Sequence, residues 1–123
     1  MDKKAMYKLS YGLFVLTAKE GDKDNGCIIN TAIQAASTPN QISICVNKAN
    51  YTHDMISRTG EFTVSVISQK ASFDLFKHFG FQTGREVNKF ADYLCLFYKE
   101  LSFCQLLLQQ WNLYFQQLLL LLP

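Results

Sequence analysis

The stretch Asn25-Gly26-Cys27-Ile28-Ile29-Asn30-Thr31-Ala32-Ile33-Gln34 decides how this chain is read. Asn-Gly is a strong hairpin signal, because both positions tolerate positive φ. The segment that follows, Cys27 to Ala36, sets Ile28, Ile29, Ala32 and Ile33 among Asn30, Thr31 and Gln34. Polar groups in a core-like strand are costly unless something bonds them. Upstream, Tyr11 to Ala18 is an apolar run between Gly12 and the polar cluster Lys19 to Gly26, the pattern of a buried strand and a turn. Downstream, Ser37-Thr38-Pro39-Asn40 reads as a turn. Gln41 to Asn47 then alternates, with Ile42, Ile44 and Val46 on one face of a half-buried strand.

Residues 2–9 read as a short helix carrying Ala5, Met6 and Leu9 at helical spacing. Asn50 or Thr52 caps a second helix through Met55 and Ile56, stopped by Gly60. Glu61 to Ser68 alternates as a strand, Phe62, Val64 and Val66 opposite Thr63 and Ser65. Ser72 opens a helix in which Phe73, Phe76 and Phe79 repeat every three residues. The expected fold is mainly β: four strands with short helices before residue 92, arranged as a small barrel of antiparallel hairpins.

The length of 123 residues suits one domain with a real core, and 49% hydrophobic against 18% charged residues excludes a disordered or collagen-like chain. A net charge of +2 makes no case for nucleic acid. Composition nevertheless breaks near residue 92. Beyond Asp92 the only charges are Lys99 and Glu100, there is no glycine, and twelve leucines fall in 31 residues. Cys27, Cys45, Cys95 and Cys104 lack metal-ligand spacing, so no metal site is expected. No signal-peptide run follows Met1, and the expected location is the cytoplasm, with thiols reduced.

Three clusters carry candidate chemistry, each with a plainer alternative. Asn30, Thr31 and Gln34 either bond a polar ring or phosphate or pair with backbone and water. Asn47-Lys48-Ala49-Asn50-Tyr51-Thr52-His53-Asp54 is either an anion site at a helix N-terminus or an ordinary capped loop. His53 and Asp54 form no catalytic pair by adjacency, since neighbours on a helix do not face each other. Thr83, Gly84, Arg85 and Lys89 suit a phosphate if Gly84 opens a helical turn that sets Arg85 and Lys89 on one face; the alternative is a solvated basic face. Cys27 or Cys45 as a nucleophile is the weaker reading, because strand cysteines are mostly buried hydrophobes.

Taken in order, Gly26 to Gln34, Ser37-Thr38-Pro39, Asn47 to Asp54 and Phe79-Gly80-Phe81-Gln82-Thr83-Gly84-Arg85 resemble the flavin reductase family of FMN-binding split barrels, over residues 1–92. The resemblance is close to the small reductase modules of anaerobic bacteria, some fused to rubredoxin-like domains; this chain has no rubredoxin cysteine pairs. It implies a six-stranded Greek-key barrel, usually a homodimer, with FMN near the subunit interface. Carried over, Asn30, Thr31 and Gln34 line the flavin strand with Ser37 beside the ring. Asn47, Lys48, Asn50, Tyr51, Thr52 and His53 frame the ring and ribityl chain, and Thr83, Gly84, Arg85 and Lys89 hold the phosphate. The implied activity passes electrons from NAD(P)H through FMN to flavin, a rubredoxin-like protein or oxygen. No catalytic side chain is assigned, because the chemistry belongs to the flavin.

Residues 93–123 depart from that pattern. One reading is a shifted reading frame: the tryptophan codon at Trp111 forces a glycine in the next frame, and Gln110 to Tyr114 can be back-translated to give Asn-Gly-Thr-Tyr there. The other is an amphipathic helix, with Gln105, Gln109, Asn112 and Gln116 along one stripe, covering a barrel left incomplete. Six amides after Ser102 weaken a membrane span, which needs about 20 predominantly apolar residues. The rival functions are a non-catalytic FMN-binding electron carrier and an inactive truncated or membrane-associated fragment.

Overall fold

The structure, a computed structural model, describes residues 2–91 and the short strand at 101–102. After a 3-10 helix at Lys3–Lys8 come β1 (Phe14–Glu20), β2 (Lys23–Ile29), β3 (Ala32–Ser37), β4 (Asn40–Ile44), α1 (Tyr51–Thr59), β5 (Thr63–Ile67), α2 (Phe73–Gly80) and β6 (Leu101–Ser102). The strands form an antiparallel four-stranded sheet in the order β2-β1-β5-β6 and a separate β3-β4 ribbon. The fold is mainly β with two short α-helices, and five strands rather than four precede residue 92.

The apolar run in β1 is explained by its place in the sheet. Lying between β2 and β5, it is buried on both faces, with Val15 and Leu16 fully enclosed. Leu16 joins Ala18, Cys27, Ile29, Met55, Ile56 and Val64 in one core, against which Ile42, Ile44 and Val46 pack as their alternation predicts. Val15 meets Leu75 and Phe79 in the other. Enclosing an aliphatic side chain of this size contributes roughly 1.5–3 kcal/mol. The sheet is therefore the partition between α1 with the ribbon and α2.

Three local expectations are corrected. The hairpin turn is at Gly21-Asp22, not Asn25-Gly26: Glu20 pairs with Lys23, and Gly21 supplies the positive φ of 60° that a two-residue loop needs. Asn25 and Gly26 instead extend β2, where Asn25 shares the inward parity of Cys27 and Ile29 and all three are buried. Second, Cys27 to Ala36 is two strands, broken at Asn30-Thr31. Third, the buried face of α2 is Leu75 and Phe79, four residues apart; Phe73 lies outside, 62% exposed. In β5, likewise, Val64 and Ser65 are buried while Val66 faces outward.

Helix α1 follows its signals more closely. Asn50 is the N-cap residue, in extended conformation, though its side chain makes no cap hydrogen bond. Gly60, left-handed at φ 72°, ends the helix by donating its N–H to the Ile56 carbonyl at 2.8 Å. Arg58 then clamps the Glu20 carboxylate with two bonds of 2.7 Å, tying α1 to the end of β1.

The expected helical stripe of Gln105, Gln109, Asn112 and Gln116 lies outside the described residues. Within the tail, Leu101 and Ser102 form a strand, pairing with Ile67 and Val66 on the edge of β5. Among the described residues no helix is long and apolar enough to cross a membrane.

Candidate functional site

A cavity of about 420 Å³ opens between the start of α1 and the segment after α2, and its floor is β2. Asn50, Tyr51 and Thr52 form one wall, Thr83, Gly84, Glu86 and Val87 the other, and Asn25, Cys27 and Lys89 the floor. The wall at residues 83–87 is a turn, in which the Glu86 and Val87 N–H groups donate to the Thr83 carbonyl at 3.2 and 3.1 Å. The Arg85 N–H donates to Thr83 Oγ1 at 3.3 Å.

Lys89 is the dominant charge. Its side chain is buried, and Nζ donates to the carbonyl oxygens of Gly26 at 2.8 Å and Phe79 at 2.9 Å. Among the described residues no carboxylate pairs with it, and burial lowers its pKa. Beside it the Cys27 thiol is pushed up by burial, partly countered by hydrogen bonds from Thr52 and Asn50 and by the Lys89 charge. The start of α1 adds the positive end of its helix dipole to the same space.

The floor also holds a residue that the sequence reading passed over. Asn25 is buried and donates Nδ2–H to Thr52 Oγ1 at 2.9 Å, while its Oδ1 is buried with no hydrogen-bond partner. The other side of this amide fills the space that a Cβ would need at Gly84. Two-residue counting back from Cys27 would have put Asn25 on the core face; its place in an Asn-Gly pair pointed to a turn instead.

Of the expected site residues, Asn50, Tyr51, Thr52, Thr83, Gly84 and Lys89 come together here. The expected pairing of Arg85 with Lys89 on one face does not occur, because residues 84–86 form a turn rather than a helix. The Arg85 guanidinium instead lies 4.9 Å from the centre of the Tyr51 ring and bonds Asp54, holding that carboxyl below the usual carboxylate range. His53 Nδ1 meets Asp54 Oδ1 at 3.3 Å, so these neighbours do touch.

Asn30, Thr31, Gln34, Ser37, Asn47 and Lys48 do not line the cavity. Asn30, Gln34 and Ser37 are exposed and Thr31 half-buried, so the burial cost expected for this run does not arise. Thr31 Oγ1 donates to Asn30 Oδ1 at 3.1 Å and Gln34 Nε2 to the Ala36 carbonyl at 3.3 Å. Asn47 Oδ1 accepts the Ala49 N–H at 2.9 Å, a turn contact ahead of α1.

The chain is 44% identical over 91 residues to a high molecular weight rubredoxin of Moorella thermoacetica, covering 74% of this chain and 40% of that protein. It is 40% identical over 90 residues to a ferric-chelate reductase (NAD(P)H) of Archaeoglobus fulgidus, covering 73% and 53%. Among solved structures, the NADH:FAD oxidoreductase of Streptomyces globisporus C-1027 superposes with a TM-score of 0.63 at 22% identity, over 73% of this chain and 52% of that one. The chain thus spans about half or less of the length of these relatives. The family model for the flavin reductase like domain matches residues 6–98, running past residue 92 into the tail. With most of its length matched in this way, the chain belongs to the flavin reductase like domain family.

Proposed function

We propose that the chain binds FMN and serves as a reductase module, passing electrons from NAD(P)H through the flavin to an acceptor: free flavin, a rubredoxin-like protein or oxygen. The observation that carries this reading is Lys89, a buried ammonium without a carboxylate partner among the described residues, at the floor of a cavity whose lining includes amide and hydroxyl side chains, with Glu86 exposed on the wall. That donor set fits a phosphate monoester, whose negative charge offsets the cost of the buried cation. Lys89, Thr83 and Gly84, with Asn50, Tyr51 and Thr52 opposite, would hold the phosphate end. Arg85 adds positive charge from the rim over Tyr51. Asn30, Thr31, Gln34 and Ser37, with Asn47, Lys48 and His53, would face the ring and ribityl chain, an assignment supported by the exposure of Asn30, Gln34 and Ser37.

When bound, FMN supplies the hydride acceptor and the route to one-electron chemistry. The chain's own residues bind and orient it, and the cavity assigns no side chain to proton transfer. The names of the Archaeoglobus and Moorella relatives, a ferric-chelate reductase (NAD(P)H) and a rubredoxin, support the nicotinamide donor and a protein acceptor. A homodimer in the cytoplasm completes the reading. Its support is the run of exposed apolar side chains Tyr7, Leu9, Tyr11 and Leu13 ahead of β1, suited to a second copy.

The test is a visible spectrum of the purified protein before and after FMN, followed by gel filtration. Flavin bands that travel with the protein support the reading, and NADH and NADPH oxidation then separates a reductase from an electron carrier. A folded protein that stays colourless with excess FMN overturns it.

A further inference from the structure

We propose that Asn25 is a positioning residue that sets the spacing of the two cavity walls for the phosphate end of the flavin, so that it governs selection of FMN over riboflavin. The proposal rests on the flavin reading above. Asn25 is 2% exposed and reaches both walls with one short side chain. On one side Nδ2–H is donated to Thr52 Oγ1, on α1, at 2.9 Å. On the other, its carboxamide occupies the Cβ space of Gly84, on the 83–87 turn. The turn cannot approach α1 without moving this amide, which the bond to Thr52 holds in place.

The contact is not ordinary packing. Asn25 Oδ1 is buried without a hydrogen-bond partner, a cost that an apolar residue of similar size avoids. What the amide supplies in return is orientation: by donating to Thr52 Oγ1 it ties that hydroxyl to the floor of a cavity that Cys27, the next inward residue of β2, also lines. The residue between them, Gly26, holds the Lys89 ammonium through its carbonyl. Three consecutive β2 residues thus place the amide, the cation and the thiol on one floor. A wall that shifts relative to Asn25 therefore shifts relative to Lys89, the cation that would meet the phosphate of FMN, a group riboflavin lacks.

The experiment titrates FMN and riboflavin by flavin fluorescence quenching into the wild type, Asn25→Ala and Gly84→Ala, with thermal unfolding recorded for each. Wild type is expected to prefer FMN. Asn25→Ala should lower FMN affinity by about tenfold while leaving riboflavin affinity nearly unchanged, because only the phosphate end depends on the wall spacing. Gly84→Ala should also lose FMN, since its methyl meets the Asn25 amide, and adding Asn25→Ala should relieve that clash without restoring the preference. Thr52→Val, which removes the hydroxyl that accepts from Asn25, should lower the FMN-to-riboflavin ratio even if Asn25→Ala does not fold. A folded Asn25→Ala or Thr52→Val with the wild-type ratio overturns the proposal. Wild type that takes up neither flavin overturns the flavin reading, and this inference with it.

Discussion

The Lys89 ammonium lies 2.8 Å from the carbonyl oxygen of Gly26, a residue 63 positions earlier, and this bond joins the segment after α2 to the floor strand of the cavity. A second bond, to the Phe79 carbonyl at the end of α2, makes Lys89 a cross-link as well as a charge.

Replacing it by methionine keeps most of the side-chain volume and removes both donors. Lys89→Met should cost roughly 1–3 kcal/mol for each carbonyl left without a donor, less what water recovers. FMN affinity should fall in parallel. Urea unfolding with and without FMN separates the two losses.

The pH dependence has a definite sign. Burial favours the neutral amine in the folded protein, so on raising the pH the folded state releases the Lys89 proton before the unfolded chain does. Between the lowered value and the ordinary lysine value the unfolded state binds more protons, and this residue's contribution to stability rises with pH. Unfolding free energies measured across the alkaline range should show a rising component in wild type that is absent from Lys89→Met; identical slopes would count against it.

On the acid side the group to watch is Asp54. Arg85, and to a smaller degree His53, hold its carboxyl below the usual range, so the stabilisation it lends is present at neutral pH and lost as pH falls through its folded value. Asp54→Asn should flatten that part of the acid unfolding curve, and high salt should shrink the difference, because the pair is half exposed.

The two described thiols should react very differently. Cys45 is exposed, whereas Cys27 is buried with its pKa raised. Since the thiolate is the reactive form, iodoacetamide at mildly alkaline pH should label Cys45 quickly and Cys27 only as the protein unfolds. Peptide mass mapping over time reads both sites. Comparable rates would show that the floor of the cavity is open to solvent.

Gly60 tests the helix stop. Its φ of 72° is a left-handed conformation, and no atom lies within 4 Å of the Cβ position, so Gly60→Ala adds backbone strain without a clash. The expected loss is about 1 kcal/mol, with Gly60→Asn milder, measured by thermal unfolding.

Elements defined by local chemistry were legible in the sequence. Gly60 marked the end of α1, because few other residues adopt its backbone angles. The alternation of Ile42, Ile44 and Val46 marked the inward side of β4 and the residues after it. Less legible was any choice between two acceptable local signals. Gly21-Asp22 and Asn25-Gly26 both suit a tight turn, and the register that buries Cys27 and Ile29 admits only the first. The phenylalanine repeat of α2 pointed outward in part, because the face that meets Val15 is set by the neighbouring sheet and not by the helix.

The candidate site divides in the same way. By itself the sequence determined the polar clusters around Asn50 to Thr52 and Thr83 to Lys89, since hydroxyl, amide and cationic groups announce their chemistry wherever they sit. Only the tertiary structure decided their partners. It sent Arg85 to Asp54 and Tyr51, buried Lys89 against carbonyls from β2 and α2, and placed Asn25 between the two walls. Residue type is a local property that a chain carries unfolded. Which donor meets which acceptor depends on contacts between residues tens of positions apart, and these arise only when β2, α1 and the 83–87 turn pack together.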